Sequence, residues 1–234
     1  MASKTYELES LGCVTVTKRQ TNRHLRLTIA SGGQIRVSIP TWAPYQAGLD
    51  FALSKQDWII DKLPRLNLLQ NGQAIGRAHR LVFKQSAGLD KIRTRISGNE
   101  VIITYPPSGA INDPAVQGAA SKGAIKALRS QAASLLPQRL EVLSKTHSLP
   151  YSSLQIKQLS RRWGSCDQKH NIVLNLYLIQ LPWELIDYVI LHELTHTRHM
   201  NHGPEFWAQL TRLCNDARQL KKQLGRYHPG IVTI

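Results

Sequence analysis

The stretch LHELTHTRHMNHGPEFW, residues 191–207, decides how the second half of this chain folds, because it joins a helical pattern to a cluster of histidines. The residues just before it, WELIDYVI, carry apolar side chains at the spacing of a buried helical stripe. On such a helix His192 and His196 lie one turn apart on the same side, and Glu193 lies about 100° further round. The stretch therefore predicts a helix that presents two imidazoles and one carboxylate to the same place.

His192, Glu193 and His196 form the pattern HExxH, which is typical of zinc hydrolases in which the glutamate acts as a general base. Two imidazoles one turn apart can bind a single ion, and the glutamate can hold a zinc-bound water without binding the metal itself. We therefore predict a site for one Zn²⁺ per chain. Catalytic zinc usually takes three protein ligands and a water, so one ligand is missing from the pattern.

The third ligand must come from the residues that follow His196. In a continuous helix His199 would lie roughly 10 Å along the axis from His192, too far to share an ion. Asn201, Gly203 and Pro204 favour a helix end, with the chain reversing at Asn201 and a new helix beginning near Pro204. That reversal would return the next histidine to the metal. The predicted ligands are His192, His196 and His202, with Glu205 as the main rival for the third position.

The composition is that of a globular protein, with 42% hydrophobic residues in 234 and a formal net charge of +15. The charge predicts attraction to polyanions, but it is spread along the chain, so nucleic acid is a secondary candidate partner. Lys122, Lys126 and Arg129 share one face of the predicted helix after residue 115, and we interpret this basic stripe as a solvated face rather than a nucleic-acid contact. We find no membrane span or secretory signal and expect a cytoplasmic protein. Three distant cysteines argue against a disulfide framework, and the oligomeric state is not indicated.

The first half of the chain has mostly the alternating pattern of strands. HLRLTI and IRVSI, joined by the turn SGGQ, predict a hairpin, and a helix is predicted over residues 45–63, ended by Pro64. HRLVFKQ, KIRTRI and EVIITY, at residues 79–85, 91–96 and 100–105, predict further strands. The Pro- and Gly-rich segment 105–114 reads as a connection.

Helical patterns dominate the second half. We predict a long helix over 115–147 with a kink at Pro137, a hairpin formed by LQIKQLSRRW and IVLNLYLI, and a last helix over 204–224. The predicted fold is α+β: a mainly antiparallel β region with one helix (residues 1–110), then a helical zincin-like domain with a small sheet or hairpin beside the HExxH helix (residues 111–234).

Four segments together resemble the YgjP-like metallopeptidases, relatives of the SprT and WLM zinc peptidases. They are RRWGSC (161–166), IVLNLYLIQLP (172–182), IDYVILHELTH (186–196) and NHGPEFW (201–207). The resemblance implies that the three predicted histidines bind zinc and that Glu193 is the catalytic glutamate. His170 and Asn171 stand where relatives often have glycine, which affects only the loop after Cys166.

We therefore predict a zinc-dependent hydrolase, a metallopeptidase acting on peptides or proteins. The candidate substrate-binding residues are Arg161, Arg162 and Trp163, on a hairpin whose edge could receive an extended peptide. Tyr227 and His228 are possible transition-state donors, and a nucleophilic role for Cys166 is disfavoured. Two alternatives stay open: a metal-dependent hydrolase of nucleoside triphosphates, and a nucleic-acid-associated zinc protein without catalysis.

Overall fold

The fold is mixed α+β, as predicted, and divides into two compact units, Met1–Asn67 and Leu68–Ile234. A computed structural model describes residues 2–8, 10–29, 34–62 and 68–231. The predicted domain boundary at residue 110 falls inside the second unit, where the strands before it and the helix after it share one hydrophobic core.

The first unit is a four-stranded sheet with two short helices. Its strands are β1 (Ser3–Leu8), β2 (Gly12–Arg19), β3 (Arg26–Ile29) and β4 (Ile35–Pro40), in the order β1-β2-β4-β3. β3 and β4 form the predicted antiparallel hairpin, whereas β2 and β4 are parallel. Of the predicted turn SGGQ, residues 31–33 lie outside the described residues.

The single helix predicted over 45–63 is instead two helices, α1 (Tyr45–Ser54) and α2 (Gln56–Lys62). Lys55 separates them with φ −111° and ψ 19°, and its amide bonds back to the carbonyl of Ala52, three residues earlier. This tighter bond closes the first helix. Leu63 and Pro64, where we predicted the helix to end, lie outside the described part of the chain.

The second unit begins with a sheet of the same strand order and pairing senses. Its strands are β5 (Ala74–Ile75), β6 (His79–Gln85), β7 (Arg93–Ser97) and β8 (Glu100–Tyr105), in the order β5-β6-β8-β7 with β6 and β8 parallel. The three strands predicted here are confirmed. One face packs on α3 (Pro114–His147), which continues through Pro137; the carbonyl that loses its donor there belongs to Ala133, an exposed residue.

A buried amide joins α3 to the turn before β6. The Oε1 atom of Gln131 accepts the backbone amides of Arg77 and Ala78, and its Nε2 atom donates to the carbonyl of Ile75 and to Nδ1 of His79. Gly76 has φ +64°, and a Cβ there would lie 2.5 Å from Oε1 of Gln131. The turn therefore needs glycine for its conformation and for its space.

The third sheet consists of β9 (Ser153–Lys157), β10 (Gly164–Cys166) and β11 (Asn171–Asn175), in the order β10-β11-β9. The prediction that LQIKQLSRRW and IVLNLYLI form a hairpin is wrong in its pairing. β9 runs parallel to β11, and the hairpin partner of β11 is the short strand β10. The second run also stops being a strand at Asn175, whose side chain accepts the amide of Tyr177 and starts a 3-10 helix, Leu176–Gln180.

Three helices complete the unit: α4 (Trp183–Thr195), α5 (Pro204–Leu213) and α6 (Ala217–Leu224). The last predicted helix is thus two, because Cys214 adopts an extended conformation and Asp216 begins a new helix. A bidentate ion pair between Arg139 of α3 and Asp187 fixes α4, with N–O distances of 2.6 and 2.5 Å. None of the described helices is long and apolar enough to cross a membrane.

Candidate metal centre

α4 carries the HExxH residues at the edge of the main core. Its apolar residues, including Ile186, Val189 and Ile190, are buried as the helical stripe predicts. Glu193 is only 5% exposed and His196 7%, although both are polar. Burial of polar groups is costly without hydrogen-bond partners. The protonation state and reactivity of Glu193 and His196 therefore depend on the groups around them.

α4 ends at Thr195, earlier than the predicted reversal at Asn201. The hydroxyl of Thr195 donates to the carbonyl of Leu191, and that of Thr197 donates to the carbonyl of Leu194. These bonds satisfy carbonyls of the last turn, and turns rather than helix follow His196. The chain therefore has eight residues in which to return to the metal face before α5 begins at Pro204.

The returning chain brings His202 to the two histidines of α4. One ligating atom from each of His192, His196 and His202 lies within 4.8 Å of the others, and the Nε2 atoms of His192 and His202 are 3.0 Å apart. Phe206, fully buried, packs against all three rings with centroid distances of 4.7 to 4.9 Å. The ring of Phe206 thus contacts all three imidazoles of the cluster.

The backbone carbonyl of His199 sets the tautomer of His196. Nδ1 of His196 lies 3.0 Å from this oxygen, which can only accept, so Nδ1 carries the proton. In the neutral ring Nε2 is then left with a free lone pair, as a metal ligand requires. His199 therefore acts on the cluster through its main chain.

The side chain of His199 lies away from the cluster and pairs with the rival ligand. Its Nδ1 atom is 3.5 Å from a carboxylate oxygen of Glu205. The Glu205 side chain is 86% exposed and does not belong to the group of converging ligand atoms found among the described residues. The structure thus brings His202, and not Glu205, to the two histidines of α4.

The electrostatics of α4 favour a neutral histidine and a basic carboxylate. Burial, followed by the nearby His196 and His202, lowers the pKa of His192 to about 3. Burial raises the pKa of Glu193 to about 8, and the charge of Arg162 opposes that rise. A neutral imidazole is the form that binds a metal, and a carboxylate in apolar surroundings has a raised proton affinity.

β10 lies against Glu193 so closely that only glycine fits. A Cβ on Gly164 would be 2.7 Å from Oε1 and 2.8 Å from Cγ of Glu193. Two residues on, burial and the charge of Glu193 raise the pKa of the Cys166 thiol to about 11. A thiol held protonated at neutral pH is a poor nucleophile, in line with the disfavoured nucleophilic role.

Asn175 holds the loop that carries the candidate substrate-binding residues. This residue is fully buried, and its Nδ2 atom donates to the carbonyls of Leu159 and Arg162, each at 2.8 Å. Its amide also donates to the carbonyl of Trp163. Arg161 and Arg162 are exposed, and Trp163 is partly buried and packs against the core. Of these three, Arg162 acts electrostatically on Glu193.

The donor set fits a divalent metal such as zinc. Two Nε2 atoms facing each other at 3.0 Å repel unless a proton or a cation lies between them. Nδ1 of His192 is buried and has no hydrogen-bond partner in the described structure, so Nε2 is the ring nitrogen through which His192 makes a polar contact there. Three imidazoles whose ligating atoms converge in this way match the protein ligands of catalytic zinc sites.

Four contributors to this centre were missed from the sequence: Gly164, Asn175, Phe206 and the carbonyl of His199. All four lie within segments singled out there, but nothing in their spacing indicated their contacts. The candidate donors are not joined to the centre by any described hydrogen bond: Tyr227 packs against the core, and His228 is exposed.

Comparison with known proteins identifies one family, and solved structures that include two metallopeptidase zymogens. The profile described as YgjP-like, metallopeptidase domain, matches residues 23–227. The metallopeptidase zymogen abylysin of Pyrococcus abyssi aligns with 42% of this chain and all of its own, at 18% identity and a TM-score of 0.37. The zymogen jannalysin of Methanocaldococcus jannaschii aligns with 39% of this chain and 88% of its own, at 22% identity and a TM-score of 0.35. No curated protein sequence matches the chain.

Proposed function

We propose that this chain, which belongs to the YgjP-like metallopeptidase family, is a zinc-dependent peptidase with His192, His196 and His202 as ligands and Glu193 as the catalytic base. The observation that carries the proposal is the convergence of three imidazoles within 4.8 Å beside a buried glutamate. Bound zinc would supply Lewis acidity, lowering the pKa of a coordinated water toward ~7 and polarising the scissile carbonyl.

The chain's own residues prepare the ligands. The His199 carbonyl orients His196 and leaves its Nε2 atom free, and Phe206 keeps the three rings in van der Waals contact with one surface. His192 stays neutral because burial disfavours its charged form. In its neutral form the His192 ring can bind a cation without first losing a proton.

Glu193 has the placement and basicity of a general base. Its side chain extends from α4 to the backbone of β10. The missing Cβ of Gly164 leaves the space that its carboxylate occupies. Apolar surroundings raise its proton affinity, so it can take a proton from the attacking water and deliver it to the leaving amine. The nearby positive charge of Arg162 opposes the rise in the pKa of Glu193 and so favours the ionised form that accepts a proton.

The substrate would lie along β10. This strand is at one edge of the third sheet, where β11 is the one described strand that pairs with it, so its outer backbone groups can receive an extended peptide. Arg161 and Arg162 are exposed just before the strand. We assign them to substrate carbonyls or acidic side chains, and Trp163 to supporting the strand.

The test combines metal content with turnover of the purified chain. We expect about one zinc per chain, hydrolysis of unfolded polypeptides, and loss of that hydrolysis in Glu193→Gln with zinc retained. Glu184→Gln, an exposed change of the same type in the first turn of α4, is the matched control and should keep full activity. A panel of nucleoside triphosphates is assayed in parallel. Turnover of triphosphates alone, or peptide hydrolysis that survives Glu193→Gln, would overturn the proposal.

A further inference from the structure

The outer face of the second sheet, turned away from α3, is basic. The inner face is identified by Val101, which packs in the core, and by Thr94, whose methyl group would lie 2.7 Å from a Cβ on Gly123 of α3. Because side chains alternate along a strand, the residues next to these point outward. The registers of β6, β8 and β7 then give the outward rows: Lys84 with Thr104 and Arg93, Val82 with Ile102 and Arg95, and Arg80 with Glu100 and Ser97.

Three cations of this face have no acidic partner among the described residues. Arg80 is neutralised by Glu100, with an N–O distance of 2.7 Å. Lys84, Arg93 and Arg95 are exposed and take part in no described ion pair. Arg93 and Arg95 follow each other at about 7 Å along one strand, and Lys84 lies two strands away, about 10 Å to the side.

The basic surface continues around the free edge of β7. Among the described strands β7 pairs with β8 alone, and at its other side Thr94 lines an open cleft of about 550 Å³ together with the first turns of α3. Lys122 and Lys126 line the same cleft, about 6 Å apart on the helix. Both lysines are exposed. This part of the helix face that we interpreted as solvated therefore borders the basic sheet face.

We propose that these five residues, Lys84, Arg93, Arg95, Lys122 and Lys126, form a surface that binds the phosphate backbone of a nucleic-acid duplex. Spaced cations with few acids nearby suit a linear polyanion, and the net charge of +15 adds long-range attraction. A duplex fits better than a single strand because the outward rows contain no aromatic side chain on which a base could stack. Contacts to phosphates alone predict binding without sequence preference.

The competing explanation is that charge on β7 only protects a free strand edge from pairing with other chains. That role needs charges on the edge strand alone. It gives no reason for Lys84, two strands inward, or for the two lysines of α3. It also predicts that any three exposed cations of the protein would contribute equally to binding a polyanion.

The test is fluorescence anisotropy of a labelled 20-base-pair duplex with the full chain between 50 and 200 mM salt. Five phosphate contacts should weaken binding by roughly 10² to 10³ over that range. The triple variant K84A/R93A/R95A should lose at least tenfold in affinity at 100 mM and flatten the salt dependence by about three contacts. The matched control is R218A/K222A/R226A, three exposed changes of equal charge outside the surface, which should bind within about twofold of wild type.

Further variants separate this surface from general charge and from the peptidase site. R93K/R95K keeps the charge and should keep most of the affinity, while K122A/K126A should weaken binding independently. Glu193→Gln should bind like wild type, so failure of the peptidase proposal leaves this one standing. Equal losses in the triple variant and its control, no binding at 100 mM salt, or binding only to vesicles of anionic lipid would overturn the proposal. Circular dichroism and melting confirm that each variant is folded.

Discussion

Replacing Gly164 with alanine should disable the proposed base without removing the metal ligands. A Cβ at this position would approach Oε1 of Glu193 to 2.7 Å, whereas ordinary contact begins near 3.4 Å. The difference, 3.4 minus 2.7, means that the strand or the carboxylate must move by about 0.7 Å. Glu193 is 5% exposed, so it has little free space into which to turn.

The size of the effect follows from that displacement. Overpacking in a filled core costs about 1 to 3 kcal/mol, which in a protein of this size lowers the melting temperature by roughly 2 to 10 °C. A misplacement approaching 1 Å at a reacting group costs on the order of 10²-fold in rate. We therefore expect kcat/KM to fall about 100-fold while zinc content stays near one per chain.

The assay is peptide hydrolysis with parallel elemental analysis and thermal melting. Gly118→Ala is the control, because this exposed glycine of α3 has no atom within 4 Å of its would-be Cβ. It should stabilise the helix by about 1 kcal/mol and leave hydrolysis unchanged. Full activity in Gly164→Ala, or loss of zinc together with activity, would show that Glu193 is not confined as described.

Three further predictions concern neighbouring residues. His202→Ala should lose most of its zinc, whereas His199→Ala should retain it because the carbonyl that orients His196 survives; equal losses in the two variants would contradict this. Asn175→Ala should lower the free energy of unfolding, measured in urea, by about 3 kcal/mol or more, because it leaves the hydrogen-bond partners of the Asn175 side chain unpaired at about 1 to 3 kcal/mol each. A decrease below about 1 kcal/mol would show that other contacts hold the loop. With a folded-state pKa of about 11, Cys166 is only about 1% thiolate at pH 9, so its alkylation should be slow there and accelerate toward pH 11; fast labelling at pH 8 would refute the raised pKa.

The sequence predicted most elements of this fold and the three converging histidines, for reasons that are local. Alternation located β6, β7 and β8, and helical periodicity located α3 and α4, because each buries a single apolar face. HExxH fixes two imidazoles on one side of a helix whatever surrounds it. The return of His202 toward His192 and His196 was predicted from the poor helix-forming tendency of Asn201 and Gly203, and the three side chains do converge although the helix ends earlier than predicted.

The remainder depends on contacts between distant residues, which one sequence does not encode in its spacing. The parallel partner of β11 is β9, and no local pattern distinguishes that from a hairpin. The breaks at Lys55 and Cys214 involve neither proline nor glycine, so the helical pattern runs through them. The tautomer of His196 depends on a backbone carbonyl, which is present in every residue and therefore leaves no signature in the sequence.

The hydrogen bonds of the Gln131 amide limit the substitutions that this protein can accept during evolution. All four of its hydrogen-bonding positions are occupied, by Ile75, Arg77, Ala78 and His79. A hydrophobic replacement would leave the backbone amides of Arg77 and Ala78 without this acceptor, and a glutamate would place a negative charge against the carbonyl of Ile75. A side chain at Gly76 would in turn collide with Gln131. Substitutions at positions 76 and 131, which are distant in the sequence, should therefore be correlated. Relatives should either keep both residues or replace both.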